Sequence, residues 1–128
     1  MKYSVVFSSK TGNTQQLANA ITSLLPESDL IYFGPPSECA LQADRFYIGF
    51  WTDKGHCNAE TADFLKHLKG KDIFLFGTAG FGGSAEYFKK ILTAVEKYID
   101  SSNTVIGSYM CQGRMPQSVR ERYIKMKN

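Results

Sequence analysis

Runs of apolar residues alternate with apolar positions at helical spacing along the whole chain. Residues 2–8, KYSVVFS, form a near-continuous apolar run suited to a strand buried on both faces. From Asn13 to Leu25, Leu17, Ile21, Leu24 and Leu25 recur at helical spacing, and Pro26 closes the segment. Residues 29–33, DLIYF, predict a short second strand ended by Gly34-Pro35-Pro36, and SECALQ beyond it predicts a helical turn. RFYIGFW at 45–51 is the third strand, with TDKGHCN as its following loop. A helix is expected from Ala59 to Leu68, with Phe64, Leu65 and Leu68 on one side and Gly70 at its end. DIFLFGT at 72–78 is the most apolar strand and is expected at the centre. Ser84 is expected to cap a long helix in which Phe88, Ile91, Leu92, Val95 and Ile99 form a core stripe. NTVIGSYM at 103–110 is the fifth strand, and Gln117–Lys127 a closing helix.

Apolar strands interleaved with amphipathic helices predict a parallel sheet covered on both faces, joined by right-handed crossovers. No repeat or interdomain linker interrupts the pattern. The expected architecture is one α/β domain over residues 1–128: a doubly wound, five-stranded parallel sheet in three α/β/α layers.

Composition narrows the function. The 43% apolar content suits a globular chain. Fifteen basic against twelve acidic residues give a net charge of +3, too mild and dispersed to predict nucleic-acid binding. The densest basic segment, RERYIKMK, reads either as the solvated face of the last helix or as a dock for an acidic partner. No apolar run approaches the ~20 residues of a membrane span, and Met1-Lys2-Tyr3 enters a strand without a signal-peptide layout. A cytoplasmic protein without membrane contact is therefore expected. Cys39, Cys57 and Cys111 are widely spaced without a C-x-x-C pair, which predicts neither a zinc site nor a disulfide framework. His56 and Cys57, adjacent in an extended segment, point to opposite sides and read as loop residues, and His67 as a surface residue.

Three loops are unusual, and all follow strands at the edge where open α/β sheets bind ligands. The first, Ser8 to Thr14, leads into a helix N-terminus, where unpaired amides attract an anion. Ser9, Thr11 and Thr14 add hydroxyl donors, Gly12 admits close backbone approach, and Lys10 and Asn13 complete the loop. A triphosphate loop would need G-x-x-x-x-G-K-[ST]; here one glycine follows the lysine, which suits a single monoester phosphate. The alternative is a hydroxyl-rich cap with no ligand. The second loop, Trp51, Thr52, Asp53, Lys54 and Gly55, and the third, Thr78, Ala79, Gly80, Phe81, Gly82 and Gly83, suit a flat, partly apolar ring. Trp51 alone reads equally as the last core-facing residue of its strand. Together the loops describe a mononucleotide with a large planar ring.

At these residues the chain resembles the flavodoxin family. VVFSSKTGNT matches the family's phosphate-loop pattern, GFWTDKG and FLFGTAGFGGS resemble its two ring-holding loops, and VIGSYM resembles its fifth strand. The likeness spans essentially the whole chain. It implies strand order 2-1-3-4-5 and FMN as cofactor. Ser9 to Thr14 would hold the phosphate, and Trp51 to Gly55 with Thr78 to Gly83 would enclose the isoalloxazine. It also implies stacking by Phe81, with Trp51 as second wall, and a peptide near Asp53-Lys54-Gly55 that turns over on reduction to meet flavin N5–H. TVIGSYMCQGRMP runs uninterrupted, as in short-chain members; the slightly basic charge and the missing Gly-Asp step in TDKGHC depart from many relatives.

The function so implied is an FMN-carrying, monomeric electron-transfer protein in transient contact with a donor reductase and an acceptor enzyme. The alternative is a small FMN-dependent NAD(P)H:acceptor reductase of quinone type, although no nicotinamide site is evident. A third reading, a regulatory module without cofactor, lacks a receiver's acidic cluster after the first strand. A low-mass phosphatase would need C-x5-R. Two unit charges about 4 Å apart at an effective dielectric near 20 interact by roughly 4 kcal/mol, so Lys54 beside the ring would favour reduction. Lys54→Glu is expected to lower the potential for forming fully reduced flavin in spectroelectrochemical titration; an unchanged potential would place Lys54 away from the ring.

Overall fold

The computed structural model describes residues 1–9, 12–53, 55–79 and 85–112. In chain order the elements are β1 (Tyr3–Phe7), α1 (Asn13–Ser23), β2 (Leu30–Gly34), β3 (Arg45–Asp53), β4 (His56–Cys57), α2 (Ala59–Lys66), β5 (Asp72–Ala79), α3 (Ala85–Glu96) and β6 (Thr104–Gln112). The long strands pair in the order β2-β1-β3-β5-β6, every pair parallel. With β4 set aside, this is the expected 2-1-3-4-5 order. β3 holds the middle; β5, expected at the centre, is interior between β3 and β6. The Ser84 cap and the closing helix over 117–127 lie outside the described residues.

The loop expected at TDKGHCN is instead a hairpin. β3 continues to Asp53, and β4 returns antiparallel with Thr52 opposite Cys57 and Asp53 opposite His56. Gly55 near its tip takes φ 87°, a left-handed conformation that glycine adopts without a Cβ penalty. His56 and Cys57 are therefore strand residues, and Cys57 is fully buried. The turn expected in SECALQ forms as a single 3-10 turn, Glu38–Ala40, with the Ser37 side chain accepting the Cys39 N–H.

The helices also stop earlier than their apolar spacing. After α1 the Leu24 N–H bonds Ile21 O and the Leu25 N–H bonds Thr22 O; after α2 the His67 and Leu68 N–H groups bond Phe64 O and Leu65 O. After α3 the Tyr98 and Ile99 N–H groups bond Val95 O and Glu96 O. Each helix ends in a tighter i→i−3 turn, which keeps Leu25, Leu68 and Ile99 on the core beyond the α-helical geometry, while Leu24, expected on the apolar face, is exposed.

Strand alternation sends successive side chains to opposite faces. Val6, Phe46, Ile48, Phe50, Ile73 and Leu75 pack with Leu65 and Leu68 from the α2 segment and Ile91 and Val95 of α3. Val5, Phe7, Tyr47, Phe74 and Phe76 pack with Leu17, Ala18 and Ile21 of α1. The β3–β5 pairing adds a reciprocal fit: Gly49 faces Phe76, and Phe50 faces Gly77. A Cβ on Gly49 would lie 2.3 Å from the Phe76 ring and 2.9 Å from Phe7 Cβ. Gly49→Ala is accordingly expected to cost about 1–3 kcal/mol by overpacking, read as a lower urea midpoint at unchanged slope; a midpoint equal to wild type would show that the rings yield without cost.

Candidate functional site at the carboxyl edge of the sheet

β1, β3 and β5 run parallel and adjacent, so their following segments leave the sheet at one edge. The Ser8 N–H bonds Gly49 O at 3.1 Å, extending the β1–β3 ladder to the start of the first loop. Beyond it the Ser9 hydroxyl oxygen accepts the Gly12 N–H at 3.0 Å. Because Ser9 accepts in that bond, its own O–H remains available to donate. Gly12 adopts φ 92° immediately before α1, and the first intrahelical bond, Gln16 N–H to Gly12 O, closes at 3.1 Å. A Cβ there would meet nothing within 4 Å, so backbone conformation rather than space calls for glycine. α1 carries no acidic residue in its first turn. A spare hydroxyl donor and a helix N-terminus whose own first turn carries no carboxylate fit a phosphate.

Thr14 contributes differently from Ser9. It is 1% exposed, and its hydroxyl lies 3.3 Å from the Phe50 carbonyl, to which it donates, and 3.0 Å from the Thr78 hydroxyl. What Thr14 offers a ligand is its first-turn amide; its side chain ties the first loop to the ends of β3 and β5. Thr78 and Ala79 are likewise buried, with Ala79 in the core beneath α2 and α3. Asn13 is half-buried at the helix start. Lys10, Thr11, Lys54, Gly80, Phe81, Gly82 and Gly83 lie outside the described residues.

The β3–β4 hairpin stands beside the cradle. Trp51, opposite Thr78 in the β3–β5 register, is half-buried, and both it and Asp53 line an open cleft of about 570 Å³. Thr52 Oγ1 and His56 Nδ1 are covered from solvent without a hydrogen-bond partner. Each such group costs about 1–3 kcal/mol, so the hairpin carries unsatisfied polar groups at the edge where a ligand would sit. Gly55 is exposed. Cys57 and Cys111 are held protonated at neutral pH, since burial pushes each thiol up to about 11. No metal-ligating cluster occurs among the described residues, nor is any helix there long and apolar enough to cross a membrane.

The cleft brings in residues that the sequence did not single out. Ser8 Oγ donates to Glu60 Oε1 at 2.8 Å, and the Thr61 hydroxyl donates to Asn58 Oδ1 at 3.0 Å while lying 3.3 Å from Ser8 Oγ. Asn58, Glu60 and Thr61 occupy the N-cap and first turn of α2, so this network anchors that helix start to the end of β1. An N-cap signal was legible in Asn58 followed by the α2 pattern. Its link to Ser8 was not, because the partners are far apart in sequence.

Comparison with known proteins agrees with this arrangement. Residues 4–128 match the family model described as flavodoxin domain. The flavodoxin-like domain-containing protein BilS of Clostridium symbiosum (strain WAL-14163) is 41% identical over 143 residues, covering 98% of this chain and 75% of that protein. Its namesake in Clostridioides difficile (strain CD3) is 32% identical over 133 residues, covering 98% and 74%. Among solved structures, oxidised flavodoxin 2 from Bacillus cereus superposes with a TM-score of 0.75 at 20% identity, covering 99% and 95% of the two chains. A flavoprotein in complex with FMN from Lactobacillus acidophilus NCFM gives 0.61 at 15% identity over 86% and 93%. These structural likenesses speak for the fold, while the family match and the sequence relatives speak for descent. The chain belongs to the flavodoxin domain family.

Proposed function

We propose that this chain binds FMN at the edge formed by β1, β3 and β5 and carries single electrons between a donor reductase and an acceptor enzyme. The observation that carries this reading is the convergence of Ser9, the Gly12–Thr14 helix start and the Trp51–Asp53 strand end through the buried contacts of Thr14 with Thr78 and Phe50. FMN, when bound, supplies the reversible uptake and release of electrons.

The chain's own residues bind and orient. Ser9 donates to the phosphate, and the α1 N-terminus faces it with the positive end of its dipole. Gly12 lets the loop turn tightly enough to present those donors. The Ser9 donor and the helix dipole place the phosphate toward α1 and leave the ring toward the hairpin. Trp51 gives the ring an apolar wall, and the unsatisfied Thr52 and His56 atoms leave the hairpin ready to shift when its neighbour changes charge. The partners are separate redox proteins in transient contact with a monomer.

Loss of one hydrogen bond to a charged group is worth about 1.5–3 kcal/mol, or roughly 10- to 100-fold in affinity. Ser9→Ala is therefore expected to weaken FMN by that factor while leaving riboflavin, which has no phosphate, unchanged in fluorescence-quenching titrations. Equal losses for both flavins would remove Ser9 from the phosphate site. NADPH oxidation by the loaded protein alone would favour the reductase reading instead.

A further inference from the structure

The three helices carry charge unevenly. α1 has no charged residue, and α2 exposes Glu60 and Asp63 ahead of Lys66. Along α3 and the residue after it, Glu86, Lys89, Lys90, Thr93, Ala94 and Lys97 recur at steps of three and four, so they share one face. That face points outward, since Ile91 and Val95 on the other side are buried in the core. Three lysines against one glutamate give it a net charge of +2, with Glu96 exposed at its flank. Lys89 and Lys90 follow Glu86 at spacings that allow helical ion pairs. Yet none of the three lysines makes an ion pair among the described residues. Between them the short Thr93 and Ala94 side chains leave a shallow groove of about 400 Å³, with lysines one turn before and one turn after. α3 joins the carboxyl end of β5 to the amino end of β6, so it starts at the candidate flavin edge. Lys89 and Lys90 stand only about 6–8 Å along the helix from that start.

We infer that the outward face of α3 is the docking surface for an acidic redox partner, a protein that sets carboxylates around a small apolar centre. The carboxylates meet Lys89, Lys90 and Lys97, and the apolar centre meets Ala94 and the Thr93 methyl. This rests on the electron-carrier function proposed above and gives the partner its charge. The neighbouring helix fixes where the partner sits. Glu38, Glu60 and Asp63 line a second groove beside α2. Those carboxylates repel an acidic surface, and like charges brought together suppress the wrong placement. The attraction is local, because screening acts within about 8 Å at physiological salt. The contact therefore forms and releases quickly, as transfer between successive partners requires.

The test follows amide NMR signals of isotope-labelled protein, with and without FMN. The probes are copper(I) plastocyanin, an acidic carrier, and cytochrome c, a basic one. At low salt plastocyanin is expected to shift the amides of Glu86–Lys97, an effect lost at about 0.5 M salt, while cytochrome c leaves them in place. Lys89→Gln/Lys90→Gln removes two charges from the face, and Lys2→Glu lowers the net charge equally at the amino end of β1. The double variant is expected to weaken plastocyanin by roughly threefold or more, and Lys2→Glu by much less. With FMN-loaded, reduced protein, transfer of one electron to copper(II) plastocyanin is expected to slow by the same factor in the double variant alone. Shifts absent from α3, α3 shifts with cytochrome c as large as those with plastocyanin, or equal losses in the two charge-matched variants overturn the inference. So does an unchanged transfer rate in a double variant that has lost the shifts. If FMN does not bind, the carrier reading fails by itself, and the shifts in flavin-free protein still decide whether α3 takes an acidic protein.

Discussion

Two buried hydroxyls join three segments that are distant in the chain. Thr14 at the start of α1 and Thr78 near the end of β5 lie 64 positions apart, yet their oxygens are 3.0 Å apart, with the Phe50 carbonyl of β3 accepting from Thr14. A buried hydroxyl without a partner costs about 1–3 kcal/mol, so neither threonine can leave this contact cheaply. The contact fixes where α1 begins relative to the ends of β3 and β5. Among the described residues at this edge, the Gly12 turn, the Ser9 donor and the hairpin beyond Phe50 are positioned by that contact.

The sheet beneath makes the contact possible. Gly49 and Gly77 admit the rings of Phe76 and Phe50 across the β3–β5 pair, which lets the two strands carry large aromatics on opposite faces. At this edge the chain presents a spare hydroxyl and a helix N-terminus, and the carboxylates Asp53 and Glu60 line the same cleft as Ser9. The long-range pull of the +3 chain is screened within about 8 Å at physiological salt. Orientation thus depends on these local groups.

What could be read from the sequence was what is local. The apolar run, hydroxyl cluster, single glycine and helix of residues 2–25 follow one another directly, so the strand, the turn at Gly12 and the start of α1 were legible there. The interior strands β1, β3 and β5 were legible because burial on both faces leaves continuous apolar runs, and the half-exposed edge strands β2 and β6 by their short apolar stretches. The β3–β4 hairpin was not, since TDKGHCN is polar and its pairing involves two residues on each side. The helix ends were overextended because i→i−3 turns keep apolar residues facing the core after the α-helix stops. The dual role of the threonine-rich loop was also hidden: Ser9 and Thr14 look alike in sequence, but one keeps a free donor and the other spends its hydroxyl on the core. The Ser8–Glu60 bond spans 52 positions, and no periodicity announces it.

The central claim is that these loops together form one flavin mononucleotide site. Its most direct test is the visible absorption spectrum of the protein after incubation with FMN and removal of free flavin by gel filtration. The account predicts that flavin bands elute with the protein at one equivalent per chain. A protein that stays colourless would contradict it.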